Sequence, residues 1–481
     1  MSYQFAEQRL YIGDDWHKPA RILPQMLNDA NTGAELMPQC AASDEQIEVA
    51  VQSAKNSFDT GVWPALSYHQ RADYLDKIAD NMLDKEMDIA MADSIQTGVI
   101  LALTRQFAKV CSLSFRHAAK LLRELPEQQE MAGERGKIVV ERLPLGVAGI
   151  IAPWNAPSGI ACHKLASALA AGCSVVYKPS EWTTASAQYI SEAIIDANLP
   201  KGVFQLLLGD GSVGEKIVAH QYISAVSFTG GAVGGEHVGR ICGQQIKPAQ
   251  LELGGNNALV ILASADLDAA AEGVVTGLTT MNAQWCRAVG RIIVDASVKT
   301  ELMDKIKQRL AHIRLGHALD SDSHMGPLVH QGHWQHIRDQ VQYYQQQGGN
   351  VVQMTSLPDD EELVGGWFFP PTLIEGLTPE LTLQETFGPV ATVHTFTSLE
   401  QAIAMANQTN YGLAAYVFGE ESHAWDVARR VIAGVVKINN VSLFALRADL
   451  PRAAWRQSGL GDEGIRETFE FFRGTRVTGV G

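Results

Sequence analysis

The chain has 481 residues, 46% of them hydrophobic and 19% charged, with a formal net charge of −15 at pH 7. A chain of this length is longer than a single hydrophobic core usually supports, so we expect two or three domains. No apolar run reaches the roughly 18 residues that a membrane span needs. The negative charge, without a Lys/Arg-rich block, disfavours nucleic-acid binding.

Cysteine usage and the first residues set the expected environment. The six cysteines form no CxxC pair and no Cys/His set with zinc spacing, which predicts neither a disulfide framework nor a structural metal. The start, MSYQFAEQRLYIGDDW, has no basic stretch followed by an apolar one, so it does not resemble a secretion signal. We therefore expect a cytoplasmic protein without a membrane association.

In chain order, the first clear element is a helix in SDEQIEVAVQSAKNSF. Ser43 followed by Gln46 fits a capping box, and Ile47, Ala50 and Val51 recur at helical spacing. From about residue 146, short apolar runs (VAGIIA, CSVVYK, VFQLLLG, ISAVSF) alternate with helical stretches. Strands that are apolar on both faces indicate a buried parallel sheet, so we predict a doubly wound α/β domain, for which a nucleotide is a common ligand.

A second alternation follows Gly255, with NALVIL, RIIV and VVQM as strands, and it predicts a second α/β domain. Two segments fit neither domain: residues 136–146, GKIVVERLPLG, and the last residues, FEFFRGTRVTGVG, both of which read as strands. Exposed strand edges favour pairing with another chain, so we predict a small β arm for oligomerisation.

Three side chains form a coherent catalytic set. Cys286 can attack a carbonyl carbon, Asn155 is fixed between two prolines in APWNAP as an oxyanion donor, and Glu252 ends the run AQLEL as a base. Each has an ordinary structural alternative. Cys286 alone could be a buried hydrophobe, Glu252 an ion-pair partner and Asn155 a turn residue.

Cofactor signals lie at two further strand ends. Lys178 and Glu181 follow the strand VVYK, where doubly wound sheets bind ribose and phosphate, although both could be solvated loop charges. Gly230 and Gly231 turn the strand ISAVSF into a helix whose free N–H groups can meet a pyrophosphate. This turn is not the G-x-G-x-x-G pattern and is weak by itself.

Taken together, these motifs resemble the NAD(P)-dependent aldehyde dehydrogenase superfamily. They follow the family's order along nearly the whole chain, and 34 positions separate Glu252 from Cys286, as in the family. The resemblance rests on PWN, KPSE, FTG, LELGG, Gln284 with Cys286, ETFGPV and NYGLAAYVF. It implies an aldehyde-dehydrogenase-like α/β fold: two doubly wound domains plus the β arm, with boundaries at 1–120 and 146–254 (dinucleotide-binding), 255–440 (catalytic), and 121–145 and 466–481 (oligomerisation arm).

By this resemblance, Cys286 is the nucleophile that forms a thiohemiacetal, Asn155 the oxyanion donor, and Glu252 the base that hydrolyses the thioester. The implied partners are a small aldehyde and a second copy of the chain, in a homodimer or homotetramer. The implied cofactor residues are Ile151, Trp154, Lys178, Glu181, Gly209, Gly230, Gly231, Leu253, Glu385 and Phe387. Glu181 can accept from a ribose hydroxyl but would repel a 2′-phosphate, which favours NAD, with NADP as the alternative.

Departures from the family pattern cluster at the expected substrate entrance. Arg287 follows the nucleophile in place of a small residue, and PRAAW (451–455) replaces a glycine pair. A separate departure, Gly231 in place of a serine, lies at the turn expected to meet the pyrophosphate. We expect Trp285, Arg287, Phe444 and Arg452 to contact substrate. Because arginines bind carboxylates in bidentate geometry, they predict a carboxylated or polar aldehyde.

Alternatives remain for the substrate and for the activity. The arginines, Arg447 included, could form structural ion pairs with Asp449 or Glu463, and Trp285 with Trp455 could suit an aromatic aldehyde. An acylating dehydrogenase would pass the thioester to coenzyme A and would not need Glu252. An inactive member serving as a binding protein would not need the full set of three. A cysteine hydrolase would need an oriented histidine near Cys286, and the sequence offers no recognisable one.

Overall fold

The structure is a computed structural model that describes residue 5, residues 7–447 and residues 450–480. Residues 1–4 and 6 of the predicted first domain, residues 448 and 449, and residue 481 of the predicted arm lie outside this description. Among the described residues, no helix combines the length and the apolar character that crossing a membrane requires.

The elements up to Glu252 are β1 (Leu10–Ile12), β2 (Asp15–His17), β3 (Arg21–Asn28), β4 (Glu35–Ala41), α1 (Asp44–Asp59), α2 (Tyr68–Asp84), α3 (Glu86–Thr97), α4 (Leu101–Glu124), β5 (Gln128–Ala132), β6 (Lys137–Pro144), β7 (Val147–Ile151), α5 (Pro157–Ala171), β8 (Ser174–Lys178), α6 (Ala185–Ile195), β9 (Phe204–Leu206), α7 (Gly211–Ala219), β10 (Ile223–Thr229), α8 (Ala232–Gln244) and β11 (Ala249–Glu252).

The later elements are β12 (Asn257–Ile261), α9 (Leu267–Thr279), β13 (Val289–Asp295), α10 (Lys299–Leu310), α11 (Gln331–Gln346), β14 (Asn350–Gln353), β15 (Thr372–Glu375), β16 (Val390–Phe396), α12 (Leu399–Asn407), β17 (Tyr411–Gly412), β18 (Ala414–Phe418), α13 (Glu421–Ala428), β19 (Val435–Ile438), β20 (Arg452–Ala453), β21 (Trp455–Arg456), β22 (Gly459–Leu460), β23 (Asp462–Glu463), α14 (Ile465–Phe471) and β24 (Arg473–Gly479). Short 3-10 helices cover Thr280–Ala283, Glu361–Leu363 and Pro379–Thr382.

The first α/β unit is built on an eight-stranded sheet with the order β2-β1-β9-β8-β7-β10-β11-β22. Its strands from β9 to β11 run parallel, and all residues of β7 and β8 are buried. From β7 the chain moves through β8 and β9 on one side and then returns to β10 and β11 on the other. This reversal of strand order opens a crevice beyond the carboxyl ends of β7 and β10, where such sheets bind ligands.

The second α/β unit has the strand order β14-β15-β16-β13-β12-β18-β19, parallel except for β14. Apolar clusters cover both of its faces, which explains the continuous hydrophobic strands in the sequence. Glu252 ends β11 of the first sheet, and Cys286 lies three residues before β13 of the second. The two predicted catalytic residues are therefore brought to the junction of the two sheets.

A third sheet joins distant parts of the chain in the order β24-β6-β5, antiparallel throughout. Its strands lie within the two segments for which we predicted an arm. The segments also contain helix: α4 continues to Glu124 because Leu121 and Leu122 pack into the core, and α14 precedes β24 because Phe469 is fully buried. The division of the chain into domains at the predicted boundaries stays a prediction.

Candidate active site

A cavity of about 660 Å³ lies in the crevice at the carboxyl edge of the first sheet. Strand ends supply its walls: Asn155 follows β7, Lys178 ends β8, and Glu252 ends β11. The cavity is lined by most of the residues that the sequence nominated for catalysis and cofactor binding, namely Ile151, Trp154, Asn155, Lys178, Glu181, Gly230, Gly231, Glu252, Leu253, Cys286, Glu385 and Phe387.

Residues 280–288, the nucleophile loop, hold Cys286 in an unusual backbone. The backbone φ values of Met281, Asn282 and Ala283 are +52°, +57° and +53°. Residues other than glycine rarely adopt this left-handed conformation. The side chain of Asn282 stabilises this stretch: its amide donates to the carbonyls of Gly98 and Pro327 at 2.8 and 2.7 Å. Such strain persists only where surrounding contacts impose it, and it is typical of functional sites.

Further hydrogen bonds fix the carbonyl groups around the nucleophile. Asn257 donates to the carbonyl oxygens of Cys286 and Ala288 at 2.9 and 2.8 Å. The Nδ2 atom of Asn155 donates to the carbonyl oxygen of Gln284 at 2.9 Å. This contact brings the predicted oxyanion donor beside the nucleophile loop, and an amide has a second N–H that remains for a ligand.

Cys286 and Glu252 act on each other's ionisation. Burial raises the pKa of the Cys286 thiol well above its usual range, and the negative charge of Glu252 adds to this, whereas Arg287 opposes it. Burial also raises the pKa of Glu252, and the charge of Glu463 raises it further. The pair therefore favours a shared proton over two negative charges, which suits a carboxylate that removes the proton from a thiol or from water.

Behind Glu252 lies a buried ion pair that the sequence did not reveal. The Nζ atom of Lys164 is 2.5 Å from Oε1 of Glu463 and also donates to the hydroxyl of Ser227 at 2.8 Å. Burial alone would raise the pKa of Glu463, but nearby cations, chiefly Lys164, lower it to about 2. Glu463 is therefore a permanent negative charge near the base.

The predicted ribose-binding residues, Lys178, Glu181 and Glu385, all line the cavity. Lys178 is buried, with its Nζ atom 2.9 Å from the carbonyl oxygen of Pro179 and 3.7 Å from a carboxylate oxygen of Glu181. Glu385 accepts from the backbone N–H of Gly255 at 2.7 Å, and burial raises its pKa to about 7. A Cβ atom at Gly254 would lie 2.0 Å from Oε2 of Glu385, so a side chain at this position would displace the Glu385 carboxylate.

The turn between β10 and α8 is suited to an anion. Gly231 is the N-cap of α8, and no side chain caps the free N–H groups of the helix. A Cβ atom at Gly231 would meet no atom within 4 Å, so the space in front of the helix is open. Gly209, which was predicted to bind the cofactor, is not among the residues that line the cavity. Its φ is +149°, and a Cβ atom at this position would meet the side chain of Val213. The glycines of that region that do line the cavity are Gly211 and Gly214.

The aromatic wall includes Phe387, whose φ of +56° is also left-handed. The Nε2 atom of His333 is 2.9 Å from the carbonyl oxygen of Phe387, and burial lowers the pKa of His333 to about 4. A neutral His333 donates this hydrogen bond without adding charge beside the cavity. The ring centroid of Trp154 is 5.3 Å from the ring centroids of Phe387 and His333.

The residues nominated for substrate differ in their surroundings. Trp285 is 3% exposed and packs with Val99 and Met281, whereas Phe444 is 49% exposed and lies 6.4 Å from the ring of Phe107. Their roles stay predictions.

The two nominated arginines also lie in different surroundings. The charge of Arg287 partly opposes the rise in pKa that burial causes at both Cys286 and Glu252. Arg452 pairs in register with Glu463 across β20 and β23, and its charge helps to lower the pKa of Glu463. Asp449, the other acid considered for these arginines, lies outside the described residues. Substrate contact by either arginine stays a prediction.

The aldehyde dehydrogenase family model matches residues 21–478, nearly the whole chain. The chain belongs to the aldehyde dehydrogenase family. Among its relatives are geranial dehydrogenase of Castellaniella defragrans, 31% identical over 464 residues that cover 95% of each chain, and peroxisomal aminoaldehyde dehydrogenase 2 of Pisum sativum, 32% identical over 476 residues that cover 96% of this chain and 93% of the relative. The family predicted from the motifs is confirmed.

Solved structures of the family have the same fold. Betaine aldehyde dehydrogenase from Staphylococcus aureus, determined in complex with NAD+, matches with a TM-score of 0.93 and 30% identity over 98% of this chain and 94% of its own. The predicted fold class of this aldehyde dehydrogenase is thereby confirmed. Within the described ranges, no group of three histidine, cysteine or acidic side chains could hold a metal ion.

Proposed function

We propose that this aldehyde dehydrogenase oxidises a polar aldehyde to its carboxylic acid with NAD, through a covalent intermediate on Cys286. The observation that carries the proposal is that Cys286, Glu252 and Asn155 line one cavity together with the residues suited to a dinucleotide. The polar substrate class is supported by the family and by relatives named for aminoaldehydes and betaine aldehyde.

The cavity fits NAD on three features. The uncapped start of α8 suits a pyrophosphate, the carboxylates of Glu181 and Glu385 can accept from ribose hydroxyls, and Trp154 and Phe387 offer apolar surface. Glu181 would repel a 2′-phosphate, which supports NAD over NADP. When bound, NAD supplies the acceptor for the hydride. Equal rates with NAD and NADP would contradict this preference.

The chain's own residues perform the remaining chemistry. Glu252 removes the thiol proton, and the Cys286 sulfur attacks the aldehyde carbon, so that the carbonyl oxygen becomes an oxyanion. The free N–H of Asn155 and the backbone N–H of Cys286 stabilise that oxyanion, at a typical value of about 10²- to 10³-fold in rate per donor. After hydride loss the carbon is held as a thioester, and Glu252 gives the thiol proton to solvent. The ionised Glu252 then takes a proton from the water that attacks the thioester and releases the acid, and the Cys286 sulfur leaves as the thiolate.

For the substrate, we infer a preference for an aldehyde that carries a carboxylate over one that carries a cation. The support is the positive charge of Arg287, which lies next to Cys286 in the chain and acts on its pKa. A second cation, Lys437, lies within the influence of Arg287: burial and the charge of Arg287 lower the pKa of Lys437 to about 8. A cationic aldehyde would meet like charge there, whereas a carboxylate can bind a guanidinium in bidentate geometry. An aromatic aldehyde is the alternative, through Trp285 and Trp455.

An aldehyde panel tests the proposal. NADH formation is measured with a semialdehyde that bears a carboxylate, its uncharged analogue of equal length, an aminoaldehyde and an aromatic aldehyde, each with NAD and with NADP. We expect the highest kcat/KM for the carboxylated compound with NAD. No preference for the acid would contradict the substrate inference, and no NADH with any compound would contradict the activity. Acid formation that requires added coenzyme A would favour the acylating alternative.

We also propose that the protein is a homodimer or homotetramer that associates through the sheet β24-β6-β5, because this sheet stands apart from the two larger ones and exposes Val477 and Met131. The cytoplasmic location expected from the sequence stays a prediction, since the Pisum sativum relative is described as peroxisomal. Imaging of the tagged chain in its own cells, with a diffuse signal as the expected result, tests it.

A further inference from the structure

The last turn of α3 contains a buried acid that the reaction described above does not use. Asp93 is 3% exposed, and its Oδ2 atom accepts a short hydrogen bond from the hydroxyl of Ser158. The hydroxyl of Ser186 on α6 lies close enough to lower the pKa of Asp93, although the other carboxylate oxygen, Oδ1, makes no hydrogen bond of good geometry among the described residues. A buried carboxylate with one unsatisfied oxygen is costly, so its presence calls for a compensating role.

The partner of Asp93 lies at the start of α5, directly after the oxyanion donor. Ser158 is the second residue of this helix, and Asn155 precedes the helix by two residues. The N-cap residue of α5 is Ala156, which has no side chain able to cap the free N–H groups. The backbone N–H of Ser158 also favours the ionised form of Asp93. Asp93 therefore acts as a cap for α5 from another helix, with its charge placed where the helix dipole favours an anion.

The same turn of α3 also contacts the nucleophile loop. The carbonyl oxygen of Thr97 accepts from the side chain of Gln284 at 3.3 Å, and that of Gly98 accepts from Asn282 at 2.8 Å. The hydroxyl of Thr97 in turn donates to the backbone carbonyl of Asp93 at 2.6 Å. One rigid turn thus links the residue that attacks the carbonyl carbon to the helix that presents the oxyanion donor.

We propose that Asp93 is a positioning residue: through Ser158, its carboxylate fixes the start of α5 and thereby sets the amide of Asn155 relative to Cys286. This inference rests on the proposed function. Without the carboxylate, the start of α5 is free to shift, and a displacement of about 1 Å at a reacting centre can reduce a rate by about 10²-fold. NAD binding and the nucleophile loop keep their own contacts.

Compared with the described titratable groups that face it, Asp93 has the pKa that lies nearer to neutral pH. Burial raises its pKa to about 6, against the opposing effects of Ser158 and Ser186. The titratable groups that face it are Cys162 on α5, Tyr177 on β8 and, beside Cys162, Cys111 on α4. Burial raises the pKa of Cys162 and of Tyr177 well above their usual ranges, so neither ionises at the pH values where Asp93 does.

The test compares the wild type with Asp93→Asn and Ser158→Ala, and with Asp88→Asn as control, an exposed acid in the first turn of α3. The readouts are the single-turnover rate of NADH formation, the Kd of NAD, and the rate at which iodoacetamide alkylates Cys286. We expect Asp93→Asn to lose about 10- to 100-fold in the single-turnover rate, with the other two quantities unchanged. Ser158→Ala changes the rate in the same direction, and the double variant is no slower than Asp93→Asn.

The pH dependence separates positioning from a general structural effect. Because the wild-type carboxylate is lost as pH falls through about 6, the ratio of wild-type to Asp93→Asn rates should be large at about pH 8 and approach one at about pH 5. A ratio independent of pH, an undiminished rate in Asp93→Asn, or an equal loss in NAD binding and alkylation would each overturn the inference. If the wild type forms no NADH with any aldehyde, it is the proposed function that fails.

Discussion

At the scale of single residues, the account depends on Cys286 as the nucleophile. We expect Cys286→Ala to abolish NADH formation and to leave the Kd of NAD unchanged, because the residues that suit the dinucleotide lie on other elements. Steady-state rates and fluorescence titration with NAD measure the two quantities. Cys40→Ala is the matched control, since this half-buried thiol lies on β4. Residual aldehyde oxidation by Cys286→Ala would mean that another group attacks the substrate.

A second prediction concerns the charge next to the base. Glu252 must be ionised to take a proton from water, so turnover limited by thioester hydrolysis rises as pH rises through its pKa. Burial and the charge of Glu463 both raise that pKa. Glu463→Gln removes the second cause, so the rise should move to lower pH. Profiles of kcat over about pH 5 to 9 measure this, and an unchanged or higher midpoint would contradict it.

The same substitution carries a cost in stability. Removing one partner of a buried ion pair typically destabilises a protein by about 3–5 kcal/mol, because the remaining charge stays buried. We therefore expect Glu463→Gln to have a lower Tm than the wild type by differential scanning calorimetry. Glu236→Gln, which changes an exposed acid on α8, serves as the control. A Tm equal to that of the wild type would show that Lys164 finds another partner.

The residues that could be predicted from the sequence are those with a local pattern. Cys286, Glu252 and Asn155 lie in short motifs, and the structure places all three on one cavity. Asp93, Lys164 and Glu463 have no local pattern, because each acts through a side chain from a distant part of the chain. Such contacts appear only when the fold brings the segments together.

At the scale of elements, the strained nucleophile loop makes a specific prediction. Asn282→Ala removes two donated hydrogen bonds and one accepted from the N–H of Gly326, and alanine tolerates the left-handed conformation less well than asparagine does. We expect a loss of about 2–4 kcal/mol in stability and a fall in kcat. Thermal unfolding and steady-state kinetics measure both. A variant with wild-type kcat would show that the loop does not need this anchor.

Element prediction from the sequence succeeded where caps or apolar runs were clear. The capping box of Ser43 and Gln46 begins α1, and the apolar runs from VAGIIA to ISAVSF became β7 to β10. Helix α2 was not predicted, although Ser67 and Gln70 form the same kind of capping box at its start. Nor did the sequence indicate α3, whose second half is buried on all sides and therefore lacks an amphipathic pattern.

At the scale of the whole molecule, the third sheet predicts association between copies. We expect the wild type to sediment as a dimer or tetramer, and Val477→Lys on β24 to sediment as a smaller species, because a charge replaces an exposed apolar side chain. Val364→Lys is the control, since this residue is also exposed (79%, against 64% for Val477) but lies far from the sheet in sequence. A wild-type monomer at every protein concentration would contradict the proposal.

The whole architecture also explains why the site lies where it does. The reversal of strand order in the first sheet opens the crevice, and the second sheet supplies the loop of Cys286 at the junction. The alternating apolar runs predicted both sheets, but the pairing of β24 with β6 joins segments far apart in the chain, and local sequence could not specify that register.

The central claim is that Cys286 carries the substrate as a thioester that only Glu252 can release. The most direct measurement is rapid mixing of Glu252→Gln with NAD and an active aldehyde, followed by mass spectrometry of the digested protein. The account predicts one NADH formed per site, more slowly than in the wild type because the thiol has lost its base, and then arrest, with the acyl mass on the peptide that contains Cys286. Continued turnover at the wild-type rate, or an acyl group on any other residue, would contradict it.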